Sequence, residues 1–130
     1  MIRVVLLDDE VSVRRGLRLR LELEPDIQVV GECGDVGTAI DLALSQAADV
    51  MVLDGELAGA GAATAAVKST RAATNTHVIV VSLRDDERRR TDALASGARA
   101  LVSKTSPDGA LVAAIRAAAL EAALFKGDQK

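Results

Sequence analysis

Four apolar runs in this chain each end on side chains that could do chemistry together. Val4-Val5-Leu6-Leu7 runs into Asp8-Asp9-Glu10, and Val50-Met51-Val52-Leu53 runs into Asp54. Val78-Ile79-Val80-Val81 ends at Ser82, and Ala100-Leu101-Val102 leads through Ser103 to Lys104. Three carboxylates within a few ångströms repel one another, and such a cluster usually holds a cation. An oxygen-only donor set without His or Cys suits a hard ion, Mg²⁺ before Zn²⁺. Lys104 would add a positive charge and Ser82 a hydroxyl donor, which suits an incoming phosphoryl group. A carboxylate beside such an ion can attack phosphorus and form an aspartyl phosphate.

These residues meet only if the elements carrying them lie side by side. The hydrophobic pattern alternates strand and helix five times. Strands are expected at 2–7, 27–31, 49–54, 77–81 and 100–103. Helices are expected at 11–23, 39–47, 62–71 and 85–96, with a last one from Pro107 towards Phe125. The first helix carries Val13, Leu17 and Leu21 on one side. Gln28 interrupts the second strand and suggests a position near a sheet edge. The third helix, mostly alanine plus Val67, is expected to pack thinly. Gly97 closes the fourth helix, and Ser106 with Pro107 can start the fifth. Short connections between alternating elements argue an α/β fold, a doubly wound parallel sheet with helices on both faces. In such a sheet all C-terminal strand ends share one edge. That edge would gather Asp8, Asp9, Asp54, Ser82 and Lys104.

Composition bounds the alternatives. The 130 residues suit one domain with a real core, and 49% are apolar. Phe125 is the sole aromatic, so Val, Leu, Ile and Ala must build the interior. A net charge of -3 gives no electrostatic argument for nucleic acid or an anionic membrane. Cys33, the single cysteine, has no intramolecular partner, and a cytoplasmic location is the natural expectation. No apolar run approaches the roughly 20 residues needed to span a bilayer. Met1-Ile2-Arg3-Val4-Val5 does not read as a secretion signal. His77 reads as structural. Asp85–Arg89 and Asp86–Arg90 read as i to i+4 pairs on a solvated helix face.

Asp8-Asp9-Glu10, Asp54, Ser82 and Lys104, in that order and spacing, resemble the receiver domain of two-component response regulators. The flanking residues agree: Arg14-Arg15-Gly16-Leu17, Val29-Val30-Gly31-Glu32 and Gly97-Ala98. The chain is most similar to receivers of the NarL/FixJ (LuxR-type) group. The resemblance covers Ile2 to about Ala123. It implies a flavodoxin-like five-stranded sheet in the order 2-1-3-4-5 with five helices. It implies Asp54 as phosphoacceptor, with Mg²⁺ (or Mn²⁺) on Asp9, Asp54 and the main-chain carbonyl of Glu56, and Asp8 acting mainly through bound water. Lys104 would pair with one phosphoryl oxygen, and the Ser82 hydroxyl would bond another and move on phosphorylation. The donor would be the phosphohistidine of a sensor histidine kinase or a small acyl phosphate. The chain would then be a regulatory phosphoacceptor that catalyses only its own phosphorylation and dephosphorylation. A homodimer is a further expectation. DNA would be reached only through an output domain outside these residues. Residues 1–124 would form the receiver, and 125–130 a tail or the start of a linker.

The sequence departs from the family at four points. Leu101 stands where an aromatic usually couples to the hydroxyl, and a leucine has no ring plane to rotate. Ala100 stands where Gly is common. The loop after Asp54 has Ala58 in place of a proline, and Gly55, Gly59 and Gly61 suggest mobility there. Thr105 follows Lys104 where many relatives have Pro in a cis bond, so either isomer stays open. Two other classes remain. A pseudo-receiver would keep the fold as an interaction module with weakened switching, and Leu101 favours it. An aspartate-nucleophile phosphatase would use Asp54-Gly55-Glu56, but its second acid would then be Glu rather than Asp.

Overall fold

The structure, a computed structural model, describes residues 1–59, 61–84 and 86–128. Five strands alternate with five helices: β1 (Ile2–Leu7), α1 (Val11–Glu22), β2 (Ile27–Cys33), α2 (Val36–Ser45), β3 (Val50–Asp54), α3 (Ala62–Ala73), β4 (His77–Ser82), α4 (Glu87–Ser96), β5 (Ala100–Ser103) and α5 (Asp108–Asp128). The strands pair in parallel in the order β2-β1-β3-β4-β5. This is the doubly wound, flavodoxin-like sheet expected from the alternation.

Each central strand is apolar on both sides because helices cover both faces of the sheet. Val4, Leu6, Val50, Val52 and Ile79 pack with Leu21 of α1 and with Val112, Ile115 and Ala118 of α5. The intervening Val5, Leu7, Met51, Leu53, Val78 and Val80 pack on the opposite face with Ala39 and Ala43 of α2, Ala66 and Val67 of α3 and Ala93 of α4. Small alanines there let the helices approach the sheet without aromatic filling.

Several boundaries differ from expectation, each for a local reason. β2 continues to Cys33 because pairing with β1 resumes after an irregularity at Val4/Val5, with Leu7 opposite Cys33. β2 is an edge strand, and Gln28 is exposed. α2 begins at Val36, earlier than its apolar pattern suggests, because the Asp35 carboxylate accepts the Thr38 N–H at 3.0 Å. Asp86 likewise accepts the Arg89 N–H at 2.8 Å, so α4 begins at Glu87. Asp85 lies outside the described residues, and the Asp85–Arg89 pair with it. Asp86 caps the helix instead of pairing with Arg90, whose guanidinium donates to the Leu101 carbonyl at 3.1 Å. Gly97 ends α4 at φ 113°, a left-handed conformation that favours glycine. Val13 of α1 is exposed, while Leu17 is half-buried and Leu21 fully buried, so the inward stripe of α1 is narrower than its spacing suggests. α5 begins just after Pro107 and continues to Asp128, and Gln129 and Lys130 lie outside the described residues. Among the described residues no peptide bond is cis, so Lys104–Thr105 is trans.

Ile115 of α5 is 0% exposed against the sheet. Ile115→Ala should lower stability by about 2–5 kcal/mol through lost burial and a residual cavity. A fall in the urea midpoint at unchanged slope would verify this.

Candidate functional site

The strand register brings the chemistry-bearing residues together. Leu7 lies opposite Leu53, so Asp8 and Asp54 leave adjacent strands side by side. Asp54 lies opposite Val81, which puts Ser82 one step beyond it. Ser82 lies opposite Ser103, and the Lys104 N–H donates to the Ser82 carbonyl at 2.8 Å. Asp8, Asp9, Asp54, Ser82 and Lys104 therefore gather on one edge of the sheet, and Leu101 does not.

Carboxylate oxygens of Asp8, Asp9 and Asp54 lie within 4.8 Å of one another. Asp8 and Asp54 are buried, while Asp9 is exposed. Asp8 has a carboxyl pKa held above its ordinary value, chiefly by burial and further by the charges of Asp54 and Asp9. The Glu10 N–H and the Lys104 charge oppose that shift. The Glu10 N–H bonds Asp8 Oδ1 at 2.9 Å, and the Arg14 guanidinium donates to the Asp8 carbonyl at 2.7 Å. These bonds fix the turn from β1 into α1. Asp9 Oδ2 accepts the Ala58 N–H at 3.1 Å, which ties the loop after β3 to the acidic cluster. Three oxygen donors of this kind, two of them buried, match the preference of a hard divalent cation such as Mg²⁺. The residues fit such an ion.

Lys104 Nζ donates to Asp54 Oδ1 at 2.7 Å and lies 3.0 Å from Glu56 Oε1. Burial alone would lower the ammonium pKa, but its bonds to Asp54 and Glu56 outweigh that and hold it above the usual value. The Glu56 N–H also bonds Asp54 Oδ1, at 3.0 Å. Asp54 is thus fixed by a side chain from the residue just after β5 and by a main-chain donor from its own loop.

In the receiver reading of the sequence, Glu56 enters only through its main-chain carbonyl. The structure brings its side chain into the site. Ser82 Oγ donates to Glu56 Oε2 at 2.6 Å, and the Leu83 N–H donates to Oε1 at 2.8 Å. Partial burial would raise the Glu56 pKa, but the bonds from Ser82, Leu83 and Lys104 outweigh it and hold the carboxyl below the ordinary glutamate value. An acid two residues after Asp54, in a glycine-containing loop, was the available signal. Gly55 permits the approach: a Cβ there would fall 2.9 Å from the Ser82 Cβ. Its N–H bonds the Val81 carbonyl at 2.8 Å.

Leu101 lies away from this edge. It is 4% exposed and packs in the core face covered by α2, α3 and α4. Cys33 is buried, its thiol pKa raised by that burial, and its Sγ–H points to the Asp35 carbonyl at 3.5 Å. His77 is half-buried at the opposite end of β4, which leaves it a structural residue.

Comparison with known proteins agrees with this geometry. The family model of the response regulator receiver domain matches residues 4–116. The transcriptional regulatory protein LiaR of Bacillus subtilis is 35% identical over 118 residues, covering 91% of this chain and 56% of LiaR. The nitrate/nitrite response regulator protein NarP of Escherichia coli is 32% identical over 123 residues, covering 95% of this chain and 57% of NarP. The chain therefore spans about half the length of these curated relatives. The receiver domain of the putative response regulator NarL from Mycobacterium tuberculosis superposes with a TM-score of 0.81 at 29% identity, covering 91% of this chain and 95% of that one. A LuxR-family response regulator from Aurantimonas gives 0.84 at 29% identity, covering 92% and 85%. A five-stranded 2-1-3-4-5 sheet carrying an acidic cluster and a lysine on one edge, matched over most of its length, makes this chain a member of the response regulator receiver domain family, of the NarL/LuxR type.

Proposed function

We propose that the chain is a phosphorylation-dependent switch with Asp54 as its phosphoacceptor. The observation that supports this most is Lys104 Nζ at 2.7 Å from a buried strand-end carboxylate, beside two further aspartates. A carboxylate oxygen of Asp54 attacks phosphorus. The P–N bond of a kinase phosphohistidine breaks, its electron pair stays on the imidazole nitrogen, and that nitrogen takes a proton from solvent. A small acyl phosphate serves by the same displacement at its P–O bond. Lys104 neutralises charge on the phosphoryl oxygens, and Ser82 donates to one of them. Water attack on phosphorus later returns the Asp54 carboxylate and inorganic phosphate.

Asp8, Asp9, Asp54 and the Glu56 carbonyl would hold Mg²⁺ or Mn²⁺. When bound, the ion supplies positive charge that screens the carboxylates and the incoming phosphoryl oxygens. Asp54 sits at the end of a strand buried along its whole length, so its carboxylate is held in place for attack.

The relatives named as transcriptional regulators suggest an output in transcription, through a DNA-binding domain outside these residues. A sensor histidine kinase would be the phosphoryl source, a homodimer the regulated assembly and the cytoplasm the location. No helix among the described residues is long and apolar enough to cross a membrane. Residues 1–124 would be the receiver and 125–130 the exit towards a linker. Leu101 and Ser82 would be the switch residues. With Leu101 buried and lacking an aromatic plane, the change would fall to the polar groups beside Asp54, Ser82 among them, rather than to a rotating ring. A pseudo-receiver is the second reading, favoured by Leu101.

Incubation with acetyl phosphate and Mg²⁺ should add one phosphoryl group to the protein, and Asp54→Asn should abolish it, both read by intact mass. Cation bound without label would instead favour the pseudo-receiver. Mg²⁺ at about a hundred times its dissociation constant should stabilise the protein by about 2.7 kcal/mol. Asp9→Asn should remove most of that gain in thermal unfolding.

Asp8 gives a pH-dependent test. Its folded-state pKa is raised, so folding disfavours its charged form. The contribution is most favourable below the unfolded pKa and is lost as pH rises through the folded value. In chelator at neutral pH, Asp8→Asn should therefore raise the urea midpoint. A lowered midpoint would contradict the burial penalty.

A further inference from the structure

The Glu56 side chain takes up the donors that a phosphoryl group on Asp54 would need. Its Oε2 accepts from Ser82 Oγ at 2.6 Å, and its Oε1 accepts from the Leu83 N–H at 2.8 Å and lies 3.0 Å from Lys104 Nζ. Exposed ion pairs contribute little, but this contact is of another kind. Ser82 is 0% exposed, its bond to Glu56 is short and charge-assisted, and one carboxylate gathers donors from β4, the turn after it and the residue just after β5. Arg84 adds to the arrangement, because its N–H donates to Ser82 Oγ at 3.0 Å. Ser82 Oγ is therefore held from both sides, donating to Glu56 and accepting from the segment that leads to α4.

We propose that Glu56 is an internal occupant of the phosphoryl-oxygen site, holding Ser82, Leu83 and Lys104 until phosphorylation of Asp54 displaces it. The proposal rests on Asp54 being the phosphoacceptor and deepens that reading. Two consequences follow from the chemistry. First, the occupant is an anion that must leave before another anion arrives, so phosphorylation by small anionic donors is slow in the resting protein. Second, Ser82 and the Leu83 amide are already bonded inward before phosphorylation. The largest rearrangement on phosphorylation is then the release of the Glu56 side chain, which moves the loop between β3 and α3. Glutamate has the reach for this: from two residues past Asp54 it spans to β4, helped by the bare Gly55 backbone beside Ser82.

The test compares the full chain with Glu56→Ala and Glu56→Gln. Labelling of Asp54 by acetyl phosphate in Mg²⁺ is followed by intact mass, and exchange of the Leu83 amide is followed by NMR in the unphosphorylated proteins. Folding of each variant is checked by thermal unfolding. Glu56→Ala is expected to label about tenfold faster than the unsubstituted chain. Its Leu83 amide is expected to exchange about tenfold faster, the loss of one protecting bond, and to slow again when beryllofluoride is added. Glu56→Gln keeps the length and an acceptor oxygen, so it should fall between the two proteins in both measurements. Equal labelling gains in Ala and Gln with an unchanged Leu83 amide would mean simple charge repulsion and would overturn the proposal. Unchanged labelling with an unchanged amide would overturn it as well. If no protein were labelled at Asp54, the phosphoacceptor reading would fail. The Leu83 amide needs no phosphorylation, and it would still show whether Glu56 holds the donors.

Discussion

Crowding of like charge at the edge of a buried sheet governs this molecule. Asp8, Asp9 and Asp54 are brought within 4.8 Å by strand register, and Glu56 adds a fourth carboxylate. Against them stands one ammonium, Lys104, shared between Asp54 and Glu56 at 2.7 and 3.0 Å. Burial makes each unpaired charge expensive, and the raised pKa of Asp8 records that cost. The surroundings respond with donors wherever the backbone can supply them. Glu10, Ala58 and Leu83 turn their N–H groups to Asp8, Asp9 and Glu56. A site that tolerates this much negative charge with so little compensation suits added positive charge, and it favours a mechanism in which charge moves rather than one in which it is created.

The apolar framework makes that crowding possible. β1, β3 and β4 are buried on both faces, so their ends cannot slide to relieve repulsion without shifting whole rows of core side chains. A one-residue slip would send Val5 and Leu7 to the opposite face of the sheet. Alanines on α2, α3 and α4 bring those helices close, and this compensates for a core without aromatic rings. The stiffness of the framework and the strain at its edge are two aspects of one packing solution.

Much of this was legible in the sequence, for a physical reason. Parallel strands buried on both faces leave continuous apolar runs, and the residue ending each run must lie on the common edge. That logic located Asp8, Asp54, Ser82 and Lys104 without coordinates. It was weaker at helix starts, where Asp35 and Asp86 side chains capture backbone N–H groups that hydrophobic spacing does not register. It also misread Arg90, whose partner is a backbone carbonyl on β5 rather than an acid on its own helix. Glu56 shows the limit most clearly. Its place two residues after Asp54 marks it as a neighbour of the site but does not tell a solvated loop carboxylate from one that reaches across to β4. The difference lies in how closely the Gly55 backbone passes Ser82.

The leucine at position 101 changes how a signal would leave such a site. An aromatic at a sheet edge can report a neighbour's movement by turning a large plane with one face to solvent. Leu101 is instead sealed among core residues, and turning it exposes nothing. The polar links around it have more freedom. Arg90 reaches from α4 to the Leu101 carbonyl, and Arg89 reaches from α4 to the Gly55 carbonyl at 3.4 Å. α4 is thus attached by long, flexible cations to the backbones of β5 and of the loop after Asp54. A change in that loop reaches α4 through Arg89 without any repacking of Leu101. On the proposed reading, the loss of the aromatic therefore leaves a route for output. It moves the route from a rotating ring in the core to charged side chains that pull on a helix from outside.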